Sequence, residues 1–234
     1  MNETPVEAAF AAEGPEVRIL EPGTLIALVD PLCGWCWGAA PALEKIAATG
    51  LPLEIVCTGL FIGDRPMTEE FAEYAWQNDQ RIALITGQIF SRVYHEKVLK
   101  NFDTKFDSGP ATLAVTAVQM REPEKTLKAL HAIQAARWVD GRDVTSEKVV
   151  AAVLRELGVT EPTIAAFLAE EEPVIEELNH RAGFARETMI RLEARGVPVL
   201  ARVTTTGIDR LDSRWLFEEV DAIAIKLAGL PRYA

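Results

Sequence analysis

Two continuous apolar runs near the start of the chain predict buried strands. These are residues 24–29 and residues 53–61, which read as strands covered on both faces. Between them, residues 38–49 have the apolar spacing of a helix. Pro41 should bend that helix, because it cannot donate a backbone hydrogen bond. The three elements therefore predict a right-handed β-α-β unit.

The periodicity changes at Ile62, and from there to Arg195 nearly all of the sequence has helical spacing. Serine and proline residues mark several helix starts, since serine caps first-turn N–H groups and proline fits the first turn. Glycine residues mark several helix ends. The pattern predicts helices over residues 69–86, 88–99, 108–121, 124–140, 146–157, 162–168 and 173–195.

Strand patterns return after Gly196. Residues 197–203 form an apolar run, and residues 208–211 are expected to pair back on it as a hairpin. A last helix should follow, capped by Asp212 or Ser213. Its buried side is expected to carry four residues: Leu216, Val220, Ile223 and Leu227.

Composition and charge narrow the classes of partner. The chain has 234 residues, 49% of them apolar, and a formal net charge of −11. Nucleic acids and anionic membranes bind basic surfaces, so neither is expected as a partner. Residues 1–17 predict a loose arm that lacks the basic and apolar regions of a signal peptide. This favours a cytoplasmic location, or a periplasmic one if an export signal had been trimmed.

Two cysteines, Cys33 and Cys36, are spaced C-x-x-C between the first strand and the first helix. A helix N-terminus favours a thiolate, and cysteines at this spacing can also close a disulfide. A redox dithiol is therefore favoured over half of a zinc site or two structural thiols. No metal site is expected, because zinc needs a second pair of ligands at short spacing. The other candidate ligands are scattered along the chain: Cys57, His95, His131 and His180.

The third cysteine, Cys57, falls within the second predicted strand. A free cysteine in a buried strand commonly packs as a small apolar side chain. We therefore expect Cys57 to be a buried hydrophobe rather than a third redox group.

Taken together, these features resemble the DsbA-like branch of the thioredoxin superfamily. The resemblance rests on Cys33 and Cys36 between a strand and a helix, on Pro41, and on Gly196-Val197-Pro198 at the start of a strand. Two segments are similar to a subgroup of DsbA-type oxidoreductases related to FrnE: DPLCGWCWG (residues 30–38) and FDSGPATLAV (residues 106–115).

The resemblance implies an α/β, thioredoxin-like fold with a large all-helical insertion. The thioredoxin-like domain would be discontinuous, formed by residues 18–62 and 196–234, and residues 63–195 would form the helical insertion domain. In the four-stranded sheet, the first and third of the four strands should be central, with the second and fourth at the edges.

The resemblance also implies a protein disulfide oxidoreductase or isomerase acting on protein or small-molecule disulfides. Cys33 would be the exposed nucleophile, and Cys36 would resolve the mixed disulfide. Pro198 would follow a cis peptide bond, although cis is rare among X–Pro bonds in general. The backbone of Val197 would then hydrogen-bond an extended substrate. No bound cofactor is implied, and glutathione would enter only as a co-substrate.

Three residues around the cysteines, Gly34, Trp35 and Trp37, are expected to lie at the substrate-binding surface. One of the two tryptophans should form an apolar rim for substrate, and the other should pack inside. The residues alone leave open which tryptophan takes which place.

The sequence departs from the family in two ways. Thioredoxin and DsbA carry a buried acid six positions before the first cysteine, where this chain has Ala27, so proton transfer to Cys36 needs another group or water. Asp30 is the nearest acid in sequence, but a carboxylate in such a loop is more often solvated than catalytic. The intervening pair Gly34-Trp35 lacks the histidine of DsbA's Pro-His, so a less oxidising protein than DsbA is expected.

Two other functions fit the same fold. Kappa-class glutathione transferases and 2-hydroxychromene-2-carboxylate isomerases bind glutathione and typically use a serine near the first-cysteine position. The intact C-x-x-C of this chain argues against that class. A non-catalytic adaptor is the other alternative, and partner binding that survives loss of both cysteines would indicate it.

Overall fold

The computed structural model describes residues 20–231, so the loose arm predicted for residues 1–17 lies outside the described residues. Within them, the strands are β1 (Leu25–Val29), β2 (Leu53–Cys57), β3 (Arg65–Pro66), β4 (Lys105–Phe106), β5 (Val199–Thr204) and β6 (Gly207–Arg210). The α-helices are α1 (Gly34–Gly38), α2 (Ala40–Ala48), α3 (Glu69–Thr86), α4 (Arg92–Tyr94), α5 (Gly109–Arg121), α6 (Thr126–Trp138), α7 (Glu147–Glu156), α8 (Glu161–Leu168), α9 (Glu172–Arg191) and α10 (Val220–Ala228). A π-helical turn (His95–Leu99) and 3₁₀-helices (Pro123–Lys125 and Ser213–Phe217) lie between them.

The main sheet has the strand order β2-β1-β5-β6. β1 is parallel to β2, with Val29 opposite Cys57, and antiparallel to β5, with Leu28 opposite Val199. The expected arrangement, with β1 and β5 in the centre, is confirmed. β2 ends at Cys57, earlier than predicted, because the chain turns at Gly59 with a left-handed backbone (φ 63°).

The helix predicted over residues 38–49 is two helices, and the first one starts earlier. α1 begins directly after Cys33, and α2 follows a break at Ala39. Pro41, in the first turn of α2, has no N–H to donate to the carbonyl oxygen of Trp37 one turn earlier. Gln88 Nε2 donates to that oxygen instead, at 2.9 Å. The helix is therefore interrupted just before Pro41, and a distant side chain replaces the missing backbone donor.

The segment of residues 63–195 consists of helices and their connecting loops, apart from a short ladder. β3 pairs antiparallel with β4, and Arg65 lies opposite Phe106. The expected α/β fold with a helical insertion is confirmed, and a two-residue ladder interrupts that insertion where two connecting loops run side by side and pair their backbones. The division into domains of residues 18–62 plus 196–234 and 63–195 stays a prediction.

The helix predicted over residues 88–99 starts late and changes its winding. Gly87 (φ 73°) ends α3, and the chain is not helical again until after Ser91, whose Oγ accepts the N–H of Tyr94 at 3.0 Å. This cap opens α4, which continues as the π-helical turn. The non-helical stretch matters for the site, because it carries Gln88 and Ile89 against α1.

A continuous hydrophobic core lies between the sheet and the helices. On its edge, Arg181 of α9 forms a buried ion pair with Glu54 of β2 at 2.8 Å. Gln119 of α5 donates to the same carboxylate at 3.0 Å. Breaking a buried ion pair leaves an uncompensated charge, so this contact fixes α5 and α9 on the edge strand.

The helix predicted at the C-terminus is also divided. Asp212 caps the 3₁₀-helix, accepting the N–H of Arg214 at 3.0 Å, and the chain is extended at Glu218 before α10 begins. Because of this break, Val220 is 38% exposed. The prediction that Val220 lies on the buried side of the helix is therefore wrong. The other three predicted side chains are buried: Leu216, Ile223 and Leu227.

Candidate active site

The two cysteines of the C-x-x-C lie where β1 leads into α1. Cys33 occupies the position just before α1, and the N–H of Cys36 donates to its carbonyl oxygen at 2.9 Å. Both are free thiols in this structure. Cys33 is 8% exposed and Cys36 is 1% exposed. Cys33 is the more accessible of the two, as expected, but it is far less exposed than a thiol at an open helix tip would be.

The start of β5 lies beside the first cysteine. The Val197–Pro198 peptide bond is cis, as the resemblance implied. The Cys33 thiol donates to the carbonyl oxygen of Val197 across 3.5 Å. The backbone of Val197 is therefore next to the sulfur, on the side where a substrate strand was expected to pair.

The second cysteine has a low-polarity environment with one backbone donor. The N–H of Asp30 lies 3.4 Å from Cys36 Sγ. Burial raises the pKa of Cys36 well above its usual value, and the hydrogen bond and charge of Cys33 raise it further. The backbone hydrogen bond from Asp30 acts in the opposite direction, because it favours the thiolate.

Asp30 is fully buried, so the expectation of a solvated carboxylate is wrong. Its Oδ1 accepts the N–H of Leu32 at 2.9 Å, and its Oδ2 accepts the N–H of Phe61 at 3.1 Å. Burial raises the pKa of Asp30, and these hydrogen bonds oppose the rise. The turn after β2 folds Phe61 back over the loop and covers the carboxyl, which sequence distance alone does not reveal. Position 27 is a buried alanine.

Ser108 contributes another hydrogen bond to this carboxyl. It occupies the N-cap position of α5, as predicted, but its side chain makes no capping hydrogen bond. Its Oγ donates instead to Asp30 Oδ2 at 3.0 Å, and Asp107 Oδ1 accepts the N–H of Gly109 at 2.8 Å. The sequence signal for this arrangement is the pair Asp107-Ser108, because either residue can cap α5 and the other is then free for another contact.

The two tryptophans take different places. Trp37 is buried, donates from Nε1 to the carbonyl oxygen of Ile89 at 3.1 Å, and stacks on Trp138 with ring centroids 6.1 Å apart. Trp35 is half-buried and meets the ring of Phe217 edge-on at 5.2 Å. Trp37 is therefore the inner tryptophan, and Trp35 is the one available to form a rim.

Gly34 is needed for the close approach of α3 to α1. A Cβ at this position would lie 2.6 Å from Asp79 Oδ1 and 3.0 Å from Ile82 Cδ1. One turn later, a Cβ at Gly38 would lie 2.9 Å from Ile82 Cγ2. The role of Gly34 in this structure is thus to admit a helix, and its expected contact with substrate remains a prediction.

Asp79 is a buried carboxyl beside the site that the sequence analysis missed. Tyr94 Oη donates to its Oδ2 at 2.8 Å. Burial raises the pKa of Asp79 to about 7, while the hydrogen bond from Tyr94 and the charge of Arg137 oppose the rise. An acid on the buried face of α3, in line with Ala72 and Ile82, is the signal that could have found it.

Cys57, at the end of β2, is buried and free. Burial, followed by the charge of Asp30, raises the pKa of Cys57 to about 12, so it behaves as an apolar side chain at neutral pH. Within residues 20–231, no group of three or more His, Cys, Asp or Glu side chains is arranged to hold a metal ion. Over that same range, no helix is both long and apolar enough to cross a membrane.

A family model described as a DSBA-like thioredoxin domain matches residues 24–212. The chain therefore belongs to the DsbA-like thioredoxin family and has its thiol–disulfide oxidoreductase fold. The likeness to FrnE-related proteins stays a prediction. No curated protein matches the chain.

Solved structures give more specific likenesses. The cytosolic disulfide reductase DsbM from Pseudomonas aeruginosa is 33% identical, with a TM-score of 0.78 over 88% of this chain and 97% of that chain. DsbM has also been solved with GSH. A candidate protein disulfide isomerase from Nitrosomonas europaea is 24% identical, with a TM-score of 0.69 over 89% of this chain and 100% of that one. A 2-hydroxychromene-2-carboxylate isomerase, 15% identical with a TM-score of 0.57 over 88% and 96% of the two chains, shares the fold alone.

Proposed function

We propose that this chain is a disulfide reductase, in which Cys33 attacks a protein or small-molecule disulfide and Cys36 resolves the mixed disulfide. The observation that carries the proposal is the placement of the two thiols. Cys33 stands at the edge of the loop beside the Val197 carbonyl, and Cys36 lies one turn deeper, out of reach of a substrate. The likeness to DsbM, which is described as a reductase, supports the direction of electron flow.

The chemistry proceeds in two exchanges. The Cys33 thiolate attacks one sulfur of R–S–S–R′, which releases R–S⁻ and forms the Cys33–S–S–R′ mixed disulfide. Cys36 then loses its proton and attacks the Cys33 sulfur, which releases R′–S⁻ and leaves a Cys33–Cys36 disulfide. The substrate has gained two electrons and the dithiol has lost two.

Glutathione is the proposed electron donor. Two glutathione thiols reduce the Cys33–Cys36 disulfide and become glutathione disulfide, so the cycle needs no bound cofactor. The structure of DsbM with GSH supports a thiol of this kind as partner. Because DsbM is described as cytosolic, we propose the cytoplasm, where glutathione is mostly reduced, as the site of action.

The test is reduction of a small disulfide, such as hydroxyethyl disulfide, with glutathione as donor. Cys33→Ser should abolish activity, since no other thiol in residues 20–231 is placed to attack. Cys36→Ser should still attack but should accumulate mixed disulfides, which mass spectrometry detects. Cys57→Ala is the matched control and should stay active. Full activity of both Cys33→Ser and Cys36→Ser would rule out the dithiol as the site.

Further measurements distinguish a disulfide reductase from the two alternative functions. The reduction potential of the Cys33/Cys36 couple, set against glutathione buffers, should be more reducing than that of DsbA. Glutathione-dependent conversion of an electrophile that survives Cys36→Ser would instead indicate a transferase or isomerase. Partner binding that survives Cys33→Ser and Cys36→Ser together would indicate an adaptor.

A further inference from the structure

A connected series of aromatic rings leads from the C-x-x-C to the surface. The Trp37 ring stacks on Trp138 with centroids 6.1 Å apart and planes at 14°. Trp138 meets Tyr94 edge-on at 6.5 Å, and Tyr94 lies 6.5 Å from Trp76. The first three rings are buried, whereas Trp76 is half-buried. We name these four rings the aromatic file, because they form one path from the interior to solvent.

The inner end of the aromatic file is joined to the dithiol. Trp37 directly follows Cys36 in α1, and its backbone N–H donates to the carbonyl oxygen of Cys33 at 3.1 Å. One hydrogen bond and a few covalent bonds therefore connect the Cys33 sulfur with the Trp37 indole. Packing of the core accounts for the burial of the rings, but it does not require the file to begin at the reacting cysteines.

Tyr94 differs from the other rings of the file because a proton acceptor is bound to it. Its Oη donates to Asp79 Oδ2 at 2.8 Å. Burial raises the pKa of Tyr94, so the phenol stays protonated at rest, and raises the pKa of Asp79 to about 7, so its carboxylate is a stronger base than usual. The Arg137 guanidinium carbon lies 5.4 Å from the centroid of the Tyr94 ring and disfavours a positive charge on it. An electron that leaves this ring should therefore be accompanied by the phenol proton.

We propose that the aromatic file carries an oxidising equivalent away from the dithiol when a one-electron oxidant, such as the thiyl radical of glutathione, attacks Cys33. The radical rests on Tyr94, with its proton on Asp79, until a reductant in solution removes it at the surface. The dithiol thereby survives an attack that would otherwise damage it. Disulfide exchange moves electrons in pairs, so this one-electron route is separate from the proposed function.

The steps balance in atoms and charge. The thiyl radical of glutathione and the Cys33 thiolate give the glutathione thiolate and Cys33–S•. Cys33–S•, Tyr94–OH and the Asp79 carboxylate then give Cys33–S⁻, Tyr94–O• and Asp79–COOH, as the two buried tryptophans pass the electron. A one-electron reductant such as ascorbate finally supplies an electron at the surface end of the file, and the proton returns from Asp79 to Tyr94.

Two contacts direct the radical towards Tyr94. Trp37 Nε1 donates to the carbonyl oxygen of Ile89 at 3.1 Å, and a carbonyl oxygen is too weak a base to take the indole proton. Trp37 therefore passes the charge on and does not retain it. Burial raises the pKa of Cys36 well above its usual value and keeps it as a thiol, so Cys33–S• has no neighbouring thiolate with which to form a disulfide radical anion.

The experiment places the radical on Cys33 by photolysis. Four substitutions leave Cys33 as the only cysteine and Tyr94 as the only tyrosine. They are Cys36→Ser, Cys57→Ala, Tyr74→Phe and Tyr233→Phe. After nitrosation of Cys33, a laser flash breaks the S–N bond, releases nitric oxide and leaves Cys33–S•. A tyrosyl radical should appear as the thiyl radical decays, seen by transient absorption and electron paramagnetic resonance, and decay without a tyrosyl signal would overturn the proposal.

Variants in the same background test the route. Trp138→Phe removes an oxidisable ring and Asp79→Asn removes the proton acceptor, so each should abolish the tyrosyl signal. Trp76→Phe should leave formation of the signal unchanged but prolong its lifetime with ascorbate, and it serves if the buried variants do not fold. Trp215→Phe, outside the file, is the matched control and should behave as its parent. An undiminished signal in Trp138→Phe or Asp79→Asn, or an unchanged lifetime in Trp76→Phe, would overturn the route.

Reduction of hydroxyethyl disulfide separates this proposal from the proposed function. Wild type and Tyr94→Phe should start with equal activity, because that reaction uses the cysteines alone. During exposure to glutathione thiyl radicals with ascorbate present, Tyr94→Phe should lose activity faster than wild type. Equal survival of the two would overturn the protective role of the aromatic file. A wild-type chain without any such activity would contradict the proposed function instead, and the photolysis experiment would still test the file.

Discussion

Two buried carboxyl groups, Asp30 and Asp79, lie beside the C-x-x-C segment, and they are held in different ways. Asp30 accepts backbone N–H groups and the hydroxyl of Ser108, all from loops that fold around the sulfurs. Asp79 accepts the hydroxyl of Tyr94 and lies against the backbone at Gly34. The first group holds together the loops around the two cysteines, and the second takes part in the packing of α3 on α1. Changes at Asp30 should therefore disturb the loop that carries the cysteines and alter the rate of disulfide exchange, whereas changes at Asp79 should alter the stability of the fold.

The largest expected effect is the dependence of stability on pH through Asp79. Its pKa in the folded protein is about 7, raised from 3.8, so the folded state holds a proton that the unfolded state has lost between these values. Stability from this group is fully present below about pH 4 and is lost as pH rises toward 7, by about 1.4 kcal/mol for each unit.

Urea unfolding across this range measures the effect. Asp79→Asn removes the titration, so wild type should lose stability relative to this variant as pH rises. The contribution of Asp30, whose pKa is also raised, cancels in the difference between the two proteins. Parallel curves for wild type and Asp79→Asn would show that Asp79 does not titrate in this window.

The next effect is the loss of a buried acceptor. Asp79→Ala should cost about 1–3 kcal/mol, because the Tyr94 hydroxyl is left without a partner in the interior. Tyr94→Phe added to Asp79→Ala should recover part of that loss, since both partners are then gone. Reduction of hydroxyethyl disulfide with glutathione should stay at the wild-type rate in Asp79→Ala and should slow in Asp30→Asn. Slowed reduction of hydroxyethyl disulfide by Asp79→Ala would remove the distinction between the two carboxyl groups.

A smaller effect is expected from a methyl group at the contact with α3. Gly34→Ala places a carbon against Asp79 Oδ1 and Ile82 Cδ1, and the resulting strain should cost about 1 kcal/mol. In an Asp79→Ala background the cost of the same change should become smaller, because only the contact with Ile82 Cδ1 remains. Equal effects in the two backgrounds, measured by urea unfolding, would contradict the contact.

The smallest effect is spectroscopic. Trp35 and Trp37 flank the dithiol, and disulfides and thiols quench indole emission differently, so emission should change on reduction by dithiothreitol. Trp35→Phe and Trp37→Phe apportion the change, and Trp215→Phe, on the 3₁₀-helix, is the control that should retain it. The placement fails if emission is constant while thiol titration shows that a disulfide was reduced.

The sequence predicts much of the framework because its signals are local. Apolar runs and periodicity indicate β1 and α3, and the capping position at Ser108 marks the start of α5. The environment of the site depends instead on tertiary contacts. Asp30 is buried by a turn that no local pattern specifies, and Asp79 meets Gly34 across 45 positions of sequence. Local sequence rules also fail where one side chain can make either of two hydrogen bonds. The Ser108 hydroxyl could cap α5, but it donates to Asp30 instead.

Gln88 makes α1 dependent on residues 63–195, the segment that the sequence predicts to be a separate domain. Its amide donates to the Trp37 carbonyl that Pro41 leaves without a helical partner, and the neighbouring carbonyl of Ile89 holds the Trp37 indole. A chimera that joined residue 62 directly to residue 196 would therefore lose both contacts, and a buried helix would be left incomplete. Reducing this protein to a minimal two-layer scaffold would require redesign of Pro41 or Trp37. The helix break before Pro41 and the segment that carries Gln88 and Ile89 therefore depend on each other.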